Sequence, residues 1–238
     1  MEENKRSNLF FIIFFTLLAV VLIVVAFIIL TGNKKCPFII TQILTVSTAQ
    51  GIEKEHTTEA WILSLMQSND VYISLKENKG FNRSNQKLLK ITLENFNVRN
   101  ALEGANIEFY MPANFESSTF EMANEYKIEK KVEYIKTENQ ENIKDFFGMV
   151  CFRQTRKDIA DYNYTEKELV QDGKLLQLAG ITEEELNLII SFDMILETEE
   201  GNAYKSNISI NVPAKDLLEK GMGTAENSDL QDIEFEKI

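Results

Sequence analysis

From Leu9 to Leu30 the chain runs twenty-two residues without a charge or a proline, LFFIIFFTLLAVVLIVVAFIIL. A segment of that length and composition can cross the hydrocarbon core of a bilayer as one helix, because a helix satisfies its own backbone hydrogen bonds where no water is at hand. Whatever follows is therefore expected to fold beside a membrane. A cleavable signal peptide has a shorter apolar stretch and a small-residue cleavage site. Here the run is followed by Thr31, Gly32, Asn33, Lys34, Lys35, Cys36 and Pro37. Lysines stand ahead of Cys36, where a lipid-modified cysteine would want small residues. The expectation is a retained anchor.

Basic residues flank the run on both sides, Lys5 and Arg6 before it and Lys34 and Lys35 after it. The positive-inside rule is close to a tie. The short N-terminal tail, and the chain beyond the run, which reads as short β-strands with two cysteines and a strong acidic excess, favour an inside N-terminus. The expected layout is a cytoplasmic tail at 1–8, a transmembrane helix at 9–30, a linker at 31–37 and an extracytoplasmic domain at 38–238. That layout describes a single-pass protein of the cell membrane.

The formal net charge is −12, and residues 1–35 carry +2, which leaves −14 on the remainder. Such a surface repels phosphate backbones, so no nucleic-acid partner is expected. It is also ill suited to lying flat on anionic lipid. Cys36 and Cys151 are the only cysteines, too few for a disulfide scaffold or a four-ligand zinc site. Cys151 stands in the apolar stretch FFGMVCF and reads as a buried thiol. A Cys36–Cys151 bridge is the less favoured alternative.

Beyond the linker, β-branched and aromatic residues recur with a period of two, separated by turn residues. Strands are expected at 38–48, 61–65, 71–75, 88–93 with 95–98, 105–111, 126–136, 146–153, around 192–196, at 204–212 and at 233–235. The polar segments 49–60 and 222–229 read as loops, and 67–70 reads as a turn, with a continuous bulged strand as its alternative. Thr165 with Glu168 and Thr182 with Glu185 resemble capping boxes, which predicts a short helix at 165–178 and a turn of helix at 182–186. Glu199-Glu200-Gly201-Asn202 predicts a hairpin turn. Residues 216–219 predict a helical turn capped by Gly221. The pattern predicts an all-β fold, an antiparallel β-sandwich that is immunoglobulin-like in broad architecture, although the immunoglobulin Cys–Trp–Cys spacing is absent.

Chemistry-bearing motifs are sparse. His56 is the one histidine and lies in the polar stretch EKEHTTE. Serine-triad and histidine-rich metal sites would all have to share it. No glycine-rich phosphate loop is present, so no nucleotide or other cofactor is expected. Asp158 with Asp161, and Glu197 with Glu199 and Glu200, are acidic clusters without the spacing of a calcium loop. Asn82, Asn163 and Asn207 begin glycosylation sequons. Trp61 and Tyr72 read as core residues. Tyr162 and Tyr164, in a segment that reads as a loop, are the candidate contact surface for a protein or glycan. The expected function is a membrane-anchored binding or structural module that meets an envelope protein or surface polymer without catalysis. The alternative is an extracytoplasmic hydrolase that uses paired carboxylates.

Overall fold

The computed structural model describes residues 14–26, 36–57, 60–78, 86–99, 106–114, 119–135, 149–165, 175–227, 230 and 233–238. Residues 14–26 form a helix, α1, whose side chains are all exposed. Among the described residues no helix is long and apolar enough to cross a membrane. The remaining parts of the expected span, 9–13 and 27–30, lie outside the described residues.

The rest is built from two antiparallel sheets. In the first, the strand order is β10 (Met222–Asn227), β1 (Phe38–His56), β2 (Trp61–Glu77), β6 (Met149–Lys157) and β4 (Asn106–Tyr110). A short strand, β7 (Asp161–Tyr164), pairs with the first residues of β2. The second sheet runs β11 (Glu236–Lys237), β9 (Ala203–Val212), β8 (Leu188–Thr198), β3 (Leu88–Arg99) and β5 (Lys131–Ile135). Three short helices complete the described elements: α2 (Leu175–Leu178), α3 (Glu183–Leu186) and α4 (Lys215–Lys220).

The two sheets share one core. Ile43, Val71, Ile73 and Phe152 from the first sheet meet Ile91, Leu93, Phe192, Met194 and Ile208 from the second. Aromatic rings bridge the layers: Phe152 stands edge-on to Phe192 at 5.2 Å, and Phe96 lies 4.8 Å from Phe109. The Tyr134 hydroxyl of β5 donates to the Cys151 carbonyl of β6, which satisfies a polar group inside this core.

The β1–β2 hairpin outruns that core. Along its far half, Leu63 and Leu65 pack with Leu175, Leu176, Leu186, Ala214 and Leu217 into a second apolar cluster roofed by the three helices. Gly51 belongs here. A Cβ at this position would stand 2.9 Å from Leu63 Cδ1, so the absence of a side chain leaves room for Leu63 of β2 in this cluster.

A buried polar belt separates the two apolar clusters. Ser47 Oγ donates to Asn69 Oδ1 at 2.7 Å, and Asn69 Nδ2 donates to Gln154 Oε1 at 2.6 Å. Gln67 and Arg156 donate to the carbonyls of Leu186 and Glu185, which α3 leaves without intrahelical partners.

Several expectations are corrected. Residues 49–56 are not a loop but the outer half of β1. Their polarity reflects exposure at a sheet edge, where the chain is exposed from Ile52 to His56. The 67–70 turn is instead the middle of an unbroken β2, with Gln67 and Asn69 turned into the belt and Asp70 paired with Arg153. The segment 222–227 is the strand β10 rather than a loop, paired with β1 from Ile43 to Thr48. The strand expected over 126–136 is β5 alone within the described residues, preceded by a 3₁₀ turn at Asn124–Tyr126. The final pairing falls at Glu236–Lys237, not at 233–235. Of the 165–178 helix, residues 166–174 lie outside the described residues and 175–178 are helical. The Thr182–Glu185 capping box, the turn with Gly201 at φ 80° and the Gly221 cap at φ 75° are as expected. Cys36 and Cys151 are buried and unbridged.

Candidate functional site

Tyr162 and Tyr164 lie on β7, not in a loop. β7 binds the outer end of β2 with Tyr164 opposite Trp61 and Tyr162 opposite Leu63. The two rings stand 6.5 Å apart. Tyr164 is buried in the second cluster, while Tyr162 packs half-buried at its margin. The alternation of a strand thus places both tyrosines on one face.

That face ends in an aromatic pair the sequence reading did not assemble. His56 closes β1, Trp61 opens β2, and the two are register partners. Their rings stack at 3.8 Å and 13°. Thr57 and Ala60 tie the ends of the connection between them. The Thr57 amide donates to the Ala60 carbonyl at 2.9 Å, and the Ala60 amide donates back to Thr57 Oγ1 at 3.0 Å. His56 and Trp61 flank a four-residue connection, a spacing that signals a hairpin once both flanks are read as strands. Trp61 is half-buried at the cluster's edge rather than enclosed in the core. Beside the pair, exposed Lys54 forms an ion pair with Asp161 at 2.9 Å. His56, Trp61, Tyr162 and Tyr164 therefore gather at the end of the hairpin opposite to Phe38.

The acidic clusters are engaged in ordinary strand chemistry. Asp161 is held by Lys54, and Asp158, at φ 56°, accepts from Ser64 Oγ at 2.8 Å. Glu197 pairs with Lys90 at 2.7 Å. Among the described residues, no three His, Cys, Asp or Glu side chains converge as a metal site. Asn163 lies in β7 and Asn207 in β9; Asn82 lies outside the described residues.

Two other carboxylates are hubs. Burial disfavours the charged form of Glu108, but hydrogen bonds from Lys127, Lys157 and the Tyr110 hydroxyl outweigh it and hold the carboxyl at about 2. Asp193 follows the same logic. Burial opposes its charge, while Asn207, Asn95 and Lys205 overcome it, and the group again sits at about 2. Asp193 lines an open depression of about 580 Å³ with Lys205, Asn207, Glu234 and Glu236. Both hubs stay ionised at neutral pH and act as acceptors, not proton donors.

The belt contains the least satisfied charge of the described residues. Arg156 is fully buried, and its Nη2 donates to the Glu185 carbonyl at 2.8 Å while Nε and Nη1 have no partner among the described residues. Burial lowers its affinity for the proton, with the Glu185 charge opposing. No family model matches the chain, and no curated protein or solved structure is significantly similar to it.

Proposed function

We propose that this chain is a membrane-anchored binding module. In this reading residues 9–30 hold it in the cell membrane with the N-terminus in the cytoplasm. Its two sheets form an extracytoplasmic β-sandwich, immunoglobulin-like only in broad architecture. The end of the β1–β2 hairpin meets an envelope protein or a surface glycan.

The carrying observation is the run of β1. It starts at Phe38, eight residues beyond the apolar segment, and continues for 19 residues to the His56–Trp61 stack. At about 3.3 Å per residue that strand reaches roughly 60 Å. It sets an aromatic end, with Tyr162 and Tyr164 beside it, far from its own origin. Stacked, half-buried aromatics supply contact area at low entropic cost. The reading rests on the apolar character of the run: in helix α1, Phe15, Leu17, Leu22 and Ile23 are all at least 60% exposed, an apolar surface that no described residue buries.

The hydrolase alternative needs a carboxylic acid that keeps its proton near neutral pH. Glu108, Glu133, Glu185 and Asp193, the described carboxylates with displaced acidity, are all displaced towards stronger acids.

The test is in-cell crosslinking and affinity capture of the full chain, compared with Trp61→Ala and Tyr162→Ala. A specific partner whose recovery falls in both variants supports the reading. Partner recovery that is indifferent to both moves the contact surface elsewhere. A hydrolase activity that is lost on neutralising Asp193, with no partner captured, replaces the reading by its alternative.

A further inference from the structure

A groove opens at the end of the fold where the chain arrives from the apolar run. β10 accompanies β1 only from Ile43 to Thr48, so among the described residues Phe38–Gln42 pair with β2 on one side and carry no strand on the other. Leu230 and Ile233–Ile238 line this gap, and Glu236–Lys237 pair with β9 as β11. Between them lies a cavity of about 1130 Å³. Its floor is apolar, with Phe38, Ile40 and Phe235 anchored in the shared core and Ile233 packed against it. Exposed Lys76 and the carboxylates Glu234 and Glu236 stand on its lining.

Cys36 also lines this groove. Five residues lie between it and Leu30, and each of the six steps covers at most about 3.5 Å in an extended chain. The groove therefore lies within roughly 20 Å of the end of the apolar run. If that run is in a bilayer, lipid is within reach of the groove.

We propose that the groove takes up an acyl chain of a zwitterionic phospholipid from the membrane that holds residues 9–30. The inference rests on the anchor reading. The apolar floor suits the hydrocarbon. The mixed rim suits a headgroup of both signs, with the phosphate towards Lys76 and the ammonium towards Glu234 and Glu236. The lining sets two lysines, Lys76 and Lys237, against two carboxylates, Glu234 and Glu236, a balance that suits a headgroup bearing both charges better than a purely anionic one. A lipid seated here would tie the base of the fold to the bilayer surface and fix the direction in which the hairpin points.

The test places the full-length protein in phosphatidylcholine vesicles that carry a trace of the same lipid with a diazirine at the acyl terminus. After irradiation, adducts are mapped on tryptic peptides. The expected result is adducts within 9–30 and also on the peptides 36–54 and 221–237. The latter two should drop several-fold in Ile233→Asp while those in 9–30 persist. Ile238→Asp, at a position 65% exposed, provides a second groove variant at a site free of core packing, and circular dichroism checks that both variants are folded. Adducts confined to 9–30, or groove adducts unchanged in both variants, overturn the lipid site and leave the anchor intact. Failure of the protein to float with the vesicles, with no adducts at all, overturns the anchor reading and the lipid site together.

Discussion

The contact between the two sheets is most directly probed at Phe152 and Phe192. Both side chains are fully buried, and each ring also touches Phe96, at 5.2 Å and 5.8 Å. Truncating a buried phenylalanine to alanine removes its transfer energy and leaves a cavity, at a cost of about 3–5 kcal/mol. Phe152→Ala and Phe192→Ala should each lose that much. Part of the loss is shared, because each variant removes the same edge-on pair. An aromatic pair contributes about 0.5–1.5 kcal/mol beyond its buried area, so the double variant should cost less than the sum of the singles by about that amount. In a domain of this size each kcal/mol corresponds to roughly 2–4 °C in melting temperature. Urea titration of the four proteins, followed by circular dichroism near 218 nm (about the usual strand minimum for a sheet-rich chain), gives all the required differences. Strictly additive losses, or single losses below about 1 kcal/mol, would refute the face-to-face packing on which the description of the fold depends.

Two further outcomes follow from local geometry. Glu108 has a carboxyl at about 2 against an ordinary 4.5, and Asp193 one at about 2 against 3.8. A lowered native pKa stabilises the fold above the unfolded value and loses that contribution as pH falls towards the native one. Urea midpoints should therefore drop between about pH 4.5 and 2, and Glu108→Gln should lower the neutral-pH midpoint while flattening the acid decline. An unchanged acid profile would remove Glu108 from the account. Gly51→Val forces a side chain against Leu63 and should cost about 1–3 kcal/mol by overpacking the helix-covered cluster, read as a lower melting temperature. Full tolerance would mean that Leu63 does not pack over Gly51.

What the sequence revealed, and what it hid, divides along one physical line. Local patterns were readable. Ile208, Ile210 and Val212 are buried while Asn207, Ser209 and Asn211 face out, as their alternation implied. The Thr182–Glu185 capping box and the Gly221 cap need only neighbours in sequence. Polarity misled wherever its cause was distant. Gln67, Ser68 and Asn69 resemble a turn because their nature is polar, yet Asn69 bonds Gln154, 85 residues away. Glu53, Lys54 and Glu55 resemble a loop because one edge of their strand is open to solvent. The tyrosine pair was legible as residues but not as a site. Its position beside Trp61 depends on β7 returning to pair with β2 across nearly a hundred residues of chain. His56 joins it only through the hairpin register.

The central claim is a domain held outside the membrane with its hairpin end accessible. Cys36 and Cys151 are buried, so a membrane-impermeant maleimide has little native thiol to react with in the folded chain. Glu55→Cys would add a thiol at an exposed position near the hairpin end. In intact cells, with enzymatic removal of the cell wall as a control, the account predicts that Glu55→Cys is labelled without permeabilisation while the parent chain is not. Labelling of Glu55→Cys only after the membrane is opened would contradict it.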